Sequence, residues 1–271
     1  MEFLRSCKSS RIITSSHPAS IELLYDATSD GEVFACGYYE LDEETGTRCG
    51  SIQLCNTANN SSFMDIAVSS GVLDMKWNRS NNFLVAALSS GSLKFVHIDN
   101  YCNIRDIIMT DNRPEEGLFL SVDVTEQSTI SSLAVSTQSG SILSYYVGES
   151  ELRSVVEIPK AHDMLGEPMP VWIVAMNHRA PDILVSGGDD MKMKLWDLRA
   201  ASTAQVVVPK VHTAGVTSAM FHPYRQDVFA TGSYDEHLRI WDARQLRTPI
   251  NTINTGKITV FSLMLFLHLF H

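Results

Sequence analysis

Short apolar runs recur along the chain, each followed by a turn and then by a stretch in which apolar and polar residues alternate. Phe83 to Leu88, Ile183 to Ser186 and Asp227 to Thr231 are three such runs. The residues after them are rich in Ser, Gly and Asp, which supply turn conformations. After the last run, Leu238 and Ile240 alternate with His237 and Arg239. A period of two sends successive side chains to opposite faces, so this stretch is expected to turn one face inward and one outward. No long window carries the 3.6-residue period of an amphipathic helix. The pattern predicts an all-β chain of short strands.

These strands fall into a repeat. Ser186–Arg199 (SGGDDMKMKLWDLR) and Thr231–Arg244 (TGSYDEHLRIWDAR) align without gaps, and Trp196 and Trp241 lie 45 residues apart. That spacing fits a four-stranded propeller blade. Eroded copies stand upstream, with Tyr145, Val96 and Cys55 in the tryptophan position, at steps of 41, 49 and 51 residues. Five units at near-constant spacing predict five blades.

The repeat resembles the WD-repeat β-propeller family. The resemblance implies a structural hydrogen-bond tetrad in each of the best blades: His162, Ser186, Asp190 and Trp196 in one, His212, Thr231, Asp235 and Trp241 in the next. Each His and Asp of these sets is read as structural, because a buried His–Asp contact has to be fully hydrogen-bonded. Most members of the family close a ring of seven blades, so five blades are expected to form an incomplete seven-bladed ring. The expected organisation is an N-terminal segment over residues 1–20, a partial propeller over 21–256 and an apolar tail over 257–271. Within that tail, Ile258 to His271 carries no charge, but 14 residues are short of the roughly 20 needed to span a bilayer. The tail is read as lying outside the fold, in a truncated product.

Composition narrows the chemistry. The net charge of −10 argues against a dominant nucleic-acid surface. The five cysteines, Cys7, Cys36, Cys49, Cys55 and Cys102, show no C-x-x-C spacing and read as free thiols of a reducing compartment. Arg5, Lys8 and Arg11 interrupt the N-terminus, which does not read as a signal peptide. A cytoplasmic location, no membrane association, no metal and no cofactor are expected. Met191 and Met193, spaced by two, are read as blade packing.

Several stretches depart from a generic blade. An ordinary turn before the third strand reads Asp-Gly, but here Asp235 is followed by Glu236 and His237, and a Glu at a positive φ is strained where Gly is not. Together with Trp172-Ile173, Ser186-Gly187-Gly188-Asp189-Asp190, Trp196-Asp197-Leu198-Arg199 and Phe34-Ala35-Cys36-Gly37-Tyr38, this stretch resembles the WD-repeat diphthine methylesterase (diphthine methyltransferase) family of diphthamide biosynthesis. The chain departs from that family at Pro170-Val171, where an acidic residue usually precedes the Trp-Ile pair, and again after Gly256. The resemblance implies hydrolysis of the methyl ester of diphthine methyl ester on translation elongation factor 2, with release of methanol. The protein substrate would be recognised on a propeller face.

No standard hydrolase signature supports a familiar mechanism: G-x-S-x-G, H-E-x-x-H and a paired S-x-x-K and K-T-G are all absent. The candidates are residues of the turns between second and third strands. His237 is the candidate general base, oriented by Glu236, Tyr234 the candidate oxyanion donor, and Asp189 a fourth polar group of the same face. The competing readings are that Glu236 and His237 are solvated turn residues, and that the chain is a non-catalytic WD-repeat scaffold or an inactive truncated isoform.

Overall fold

The computed structural model describes residues 17–256 apart from 29–30, 58–60, 100–102, 108–110, 127–130, 149–150, 201–203, 205 and 209–210. The apolar tail, most of the N-terminal segment, Cys7 and Cys102 lie outside the described residues. The strands form five four-stranded antiparallel sheets. Blade 1 starts with β1 (Pro18–Thr28) and β2 (Gly31–Tyr38), continues through the small hairpin β3 (Glu40–Leu41) and β4 (Arg48–Cys49), and ends with β5 (Ser51–Asn56) and β6 (Ser61–Ala67). Blade 2 comprises β7 (Val72–Asn78), β8 (Phe83–Leu88), β9 (Ser92–Ile98) and β10 (Ile104–Ile107). Blade 3 comprises β11 (Phe119–Val124), β12 (Ser131–Thr137), β13 (Ile142–Val147) and β14 (Leu152–Ile158). A second hairpin, β15 (Asp163–Met164) and β16 (Glu167–Pro168), precedes blade 4, which is β17 (Val171–Met176), β18 (Ile183–Gly188), β19 (Met193–Asp197) and β20 (Val206–Val208). Blade 5 is β21 (Val216–Phe221), β22 (Val228–Ser233), β23 (His237–Asp242) and β24 (Asn251–Asn254).

The first strands of successive blades lie side by side, β1 on β7, β7 on β11, β11 on β17 and β17 on β21. This succession of inner strands around one axis is propeller architecture. It forms an arc of five blades, as the repeat spacing predicts. The register also bears out the eroded repeats: Cys55 pairs with Phe34, Val96 with Leu84 and Tyr145 with Leu133, as Trp196 pairs with Leu184 and Trp241 with Phe229.

Packing between blades supplies the cores. Leu24, Ile52 and Leu54 of blade 1 meet Met75, Leu84 and Val96 of blade 2. Phe83, Val85 and Phe95 meet Phe119, Val122 and Leu133 across blades 2 and 3. Ala134, Ile142 and Ile158 meet Val174, Leu184 and Trp196 across blades 3 and 4. Val185, Met193 and Leu195 meet Phe221, Phe229 and Trp241 across blades 4 and 5. Blades 2, 3 and 4 are therefore covered on both faces, which explains the unbroken burial of Phe83–Leu88 in blade 2.

Packing against blade 4 corrects the reading of β23. The alternation is real, but Arg239 is buried rather than outward, and it shares with Trp241 the face turned to blade 4. Leu238 occupies the opposite face, with Ala230, Met220 and Ile253. Met191 also departs from expectation. Met193 is buried between blades, whereas Met191 is an exposed turn residue at φ 61°.

Carboxylates near the axis tie the inner strands together. Glu22 accepts the Trp77 N–H at 3.1 Å, Asp74 the Val122 N–H at 3.0 Å and Asp123 the Met176 N–H at 2.8 Å. Each therefore reaches the backbone of the following blade. Asp74 also accepts the hydroxyls of Ser20 and Ser121 at 3.3 and 3.0 Å. Burial raises the pKa of Asp74 and of Glu22 despite these bonds. Burial works against the Lys76 ammonium among them, but Glu22, Asp74 and Asp123 together hold its pKa above the ordinary lysine value.

Each inner strand carries a bulge at its second residue. The register skips Ala19, Leu73, Leu120, Trp172 and Thr217 in turn. An extra residue of this kind is left out of the ladder and re-aims its side chain.

Candidate active site on the turn face

The two tetrads form as the spacing predicts. His162 bonds Asp190 through Nδ1 and Ser186 through Nε2, both at 2.7 Å, and the Trp196 indole N–H donates to Ser186 Oγ at 2.8 Å. In blade 5, His212 Nε2 lies 2.9 Å from Thr231 Oγ1, which accepts the Trp241 N–H at 2.8 Å, and His212 Nδ1 lies 3.3 Å from Asp235. Burial lowers the pKa of both rings, that of His212 to about 4 with help from the adjacent Arg239 cation. Both histidines are therefore neutral at pH 7, and they hold their turns rather than exchanging protons with solvent. Burial disfavours the Asp190 and Asp235 carboxylates, but their hydrogen-bond donors prevail and keep both below the ordinary value.

The W-D-x-R ends close on themselves. Arg199 donates to both oxygens of Asp197 at 2.8 and 2.5 Å, and Arg244 to both oxygens of Asp242 at 2.9 and 2.7 Å. These paired contacts are ordinary forked carboxylate recognition.

The tetrads fix two equivalent turns. In blade 5, Tyr234, Asp235 and Glu236 form the turn and His237 opens β23, and Asp189, Asp190, Met191 and Lys192 are their counterparts in blade 4. Glu236 has φ 65° and Met191 φ 61°, so both turns place a side-chain-bearing residue in the left-handed region. Such a residue is held there against a cost of about 1 kcal/mol. The expected strain at Glu236 is thus present. Its carbonyl accepts both the N–H and the hydroxyl of Thr255, at 2.9 and 2.8 Å.

His237 is oriented by Asp235. The backbone N–H of His237 donates to Asp235 Oδ1 at 3.0 Å, and its ring Nδ1 lies 2.6 Å from the Asp235 carbonyl oxygen. A carbonyl only accepts, so the neutral ring carries its proton on Nδ1 and has its lone pair on Nε2. The side chain is one-third exposed, at 33%. This is the tautomer a general base requires, and the group that imposes it is the Asp235 carbonyl.

Tyr234 and Asp189 meet around Gly215. A β-carbon on Gly215 would lie 2.8 Å from Asp189 Oδ1 and 3.3 Å from Tyr234 Cδ2, so both groups pack directly on this residue and a side chain there would crowd them. The Trp172 indole N–H donates to Asp189 Oδ1 at 2.9 Å, and the Asp189 N–H donates to the Pro170 carbonyl. Burial and the nearby Asp189 carboxylate raise the pKa of the Tyr234 phenol, which therefore remains a hydrogen-bond donor at neutral pH. Neither Trp172 nor Gly215 has a candidate role in the sequence reading. The available signal is an aromatic residue at the second position of an inner strand, which points out of the ladder.

No group of three or more metal-ligating side chains is present among the described residues. Cys36, Cys49 and Cys55 are free thiols. No helix among the described residues is long and apolar enough to cross a membrane. A cleft of about 440 Å³ lies apart from the turns, lined by Val206, Val208, Val211, Leu246 and Arg247, and offers no nucleophile or general base.

Comparison with known proteins agrees with this architecture. Residues 160–197 and 204–242 match the family model "WD domain, G-beta repeat". Chains of the Mitotic Checkpoint Complex and of the COPII outer coat vertex superpose with TM-scores of 0.64 and 0.68, at 17% and 19% identity. Those matches cover 90% and 89% of this chain and 66% and 65% of the other, and they speak for the fold. By sequence, the chain is 32% identical over 202 residues to the protein named diphthine methyltransferase homolog of Dictyostelium discoideum, covering 70% of this chain and 54% of that one. It is 30% identical over 248 residues to the diphthine methyltransferase of Mus musculus, covering 80% and 50%, and 27% identical over 252 residues to that of Homo sapiens, covering 80% and 55%. The chain spans about half the length of these curated relatives. By its blades the chain is a WD-repeat propeller, and by its sequence it is similar to the proteins named diphthine methyltransferase.

Proposed function

We propose that the chain acts in diphthamide biosynthesis as a carboxylic ester hydrolase. Its substrate would be diphthine methyl ester on translation elongation factor 2, a cytoplasmic protein docked on the propeller face. The kinship to proteins named diphthine methyltransferase carries this reading, and the polar turn face gives it a location. Water, deprotonated by Nε2 of His237, adds to the ester carbonyl, and the charge that develops on oxygen is met by the Tyr234 phenol. Collapse of the tetrahedral adduct expels the methoxy group, which takes the proton from His237 and leaves as methanol. The carboxylic acid left behind releases its proton to solvent and becomes the carboxylate of diphthine. Asp235 orients the base, and Glu236 and Asp189 complete the acidic rim. No cofactor enters this scheme.

The test is an assay of the full chain on elongation factor 2 carrying the methyl ester, reading methanol and the mass loss of one CH₂ unit. Turnover that falls at least about a hundredfold in His237→Ala supports the assignment, since general-base catalysis contributes that much or more. Binding of elongation factor 2 without turnover would instead favour the scaffold reading.

A further inference from the structure

We propose that the cleft between blades 4 and 5 binds an extended peptide segment of acidic and apolar residues, which adds as a strand to the outer edge of β20. The inference goes beyond the ester chemistry and uses none of the turn residues. β20 reads Val206-Val207-Val208 and is the last strand of its sheet, paired on one side only, with Met193, Lys194 and Leu195 of β19. Its other edge presents backbone N–H and C=O groups with no strand partner, which is the template that an incoming strand uses. Edge strands are commonly blunted by polar or charged side chains that discourage such pairing. The outer strands of the other blades follow this rule: β6 holds Asp65, β10 Arg105, β14 Arg153, and β24 two asparagines. β20 holds valines alone, and Val206 and Val207 are 37% and 44% exposed.

The floor of the cleft is preformed and its charge selects the segment. The Ala243 N–H donates to the Asp227 carbonyl at 2.7 Å and the Gln245 N–H to the Asp242 carbonyl at 2.9 Å, which fixes the turn after β23. Leu246 is thereby buried in the same core as Val208. An apolar side chain of the segment would seat on Val208, Val211 and Leu246. The lining also carries Arg244 and Arg247 and no carboxylate. Arg244 is met by Asp242 at 2.7 Å and by Asp227 at 3.6 Å. Arg247 is exposed and stands in no ion pair among the described residues, so it is the cation that a carboxylate of the segment would meet. The net charge of −10 repels an acidic segment from the surface in general, so docking depends on this arginine and on the open edge beside it.

The peptide acetyl-Asp-Glu-Val-Thr-Val-amide, titrated into the full, ¹⁵N-labelled chain, tests the proposal, with the backbone signals of Val206–Val208 as the readout. The expected result is a saturable shift of these signals. Binding should be weaker for acetyl-Lys-Lys-Val-Thr-Val-amide, and lost for the acidic peptide methylated on its backbone nitrogens, which can no longer donate to the edge. Arg247→Gln should weaken the acidic peptide about fivefold, as for one exposed ion pair. Arg247→Glu should reverse the preference between the acidic and the lysine peptide, with the indole signals of Trp196 and Trp241 unmoved as the sign of an intact fold. Equal binding of the methylated peptide, an unchanged preference in Arg247→Glu, or no saturable shift overturns the proposal. A shift of the same signals on concentrating the chain alone assigns the edge to a second copy and overturns it as well.

Discussion

Arg239 Nη1 stands 2.9 Å from Asp235 Oδ2, whereas Lys194, its counterpart one blade earlier, stops 3.9 Å from Asp190 Oδ2. The same Arg239 nitrogen lies 2.7 Å from His212 Nδ1. Arginine only donates, so Nδ1 of His212 accepts from it and the proton of the neutral ring sits on Nε2. The longer His212–Asp235 distance, 3.3 Å against 2.7 Å for His162–Asp190, follows from this competition. The two tetrads are thus alike in residues and different in proton placement. Arg239→Met should return Asp235 to His212 and raise the pKa of that ring from about 4 towards its ordinary value, with burial still holding it below 6.5. The imidazole chemical shift followed against pH measures the change, and an unmoved pKa would refute the competition.

Acidification should weaken the fold through the same ring. Above pH 6.5 His212 is neutral in both the folded and the unfolded chain. Between 6.5 and about 4 only the unfolded chain takes the proton, so stability is lost as pH falls through that window. The loss attributable to His212 is about 3 kcal/mol. Glu22 and Asp74, whose pKa values are raised, act in the opposite sense, so the comparison is made against His212→Asn. The stability difference between the chain and this variant, from urea unfolding, should shrink by about that amount between pH 7 and pH 4.

Glu236→Gly separates strain from use. The residue sits at φ 65°, and its backbone carbonyl keeps both bonds to Thr255 whatever the side chain. Relief of the left-handed conformation should stabilise the chain by about 0.5–1 kcal/mol in urea unfolding. A fall in ester hydrolysis beside that gain would identify the carboxylate as functional. Unchanged hydrolysis would leave Glu236 as a strained turn residue only.

Asp74→Asn should loosen the inner strands. Asp74 accepts the Val122 N–H and the hydroxyls of Ser20 and Ser121, and an amide turns one acceptor oxygen into a donor facing these donors. The expected cost is about 1–3 kcal/mol, the penalty for an unsatisfied buried group. A urea midpoint equal to that of the parent chain would count against a tying role.

The blades and tetrads were legible in the sequence because their determinants are local. His162, Ser186, Asp190 and Trp196 act within one stretch of the chain, and even Tyr145, Val96 and Cys55 betray their position through the turn that precedes them. The ties of Glu22, Asp74 and Asp123 gave no such signal. Each acts on a backbone N–H some 50 residues away, and no local pattern marks that contact. Arg239 misled for a related reason, since the face it shares with Trp241 is buried by another blade rather than by its own sheet. At the turn face, an unusual turn marks Tyr234, Asp189 and His237 as candidates. Trp172 and Gly215 join them through the bulge of β17 and the turns of two blades, which no local pattern marks.

The bulges give the propeller a mouth that can be rewritten. Ala19, Leu73, Leu120, Trp172 and Thr217 stand outside their ladders, one per blade, while the residues on either side stay in register. Thr217 is buried, whereas the other four reach the surface, and a substitution at one of these four changes a side chain that takes no part in a strand pairing. The fold thereby presents a dial of four side chains on a fixed frame, and the tryptophan of blade 4 is the one that donates to Asp189.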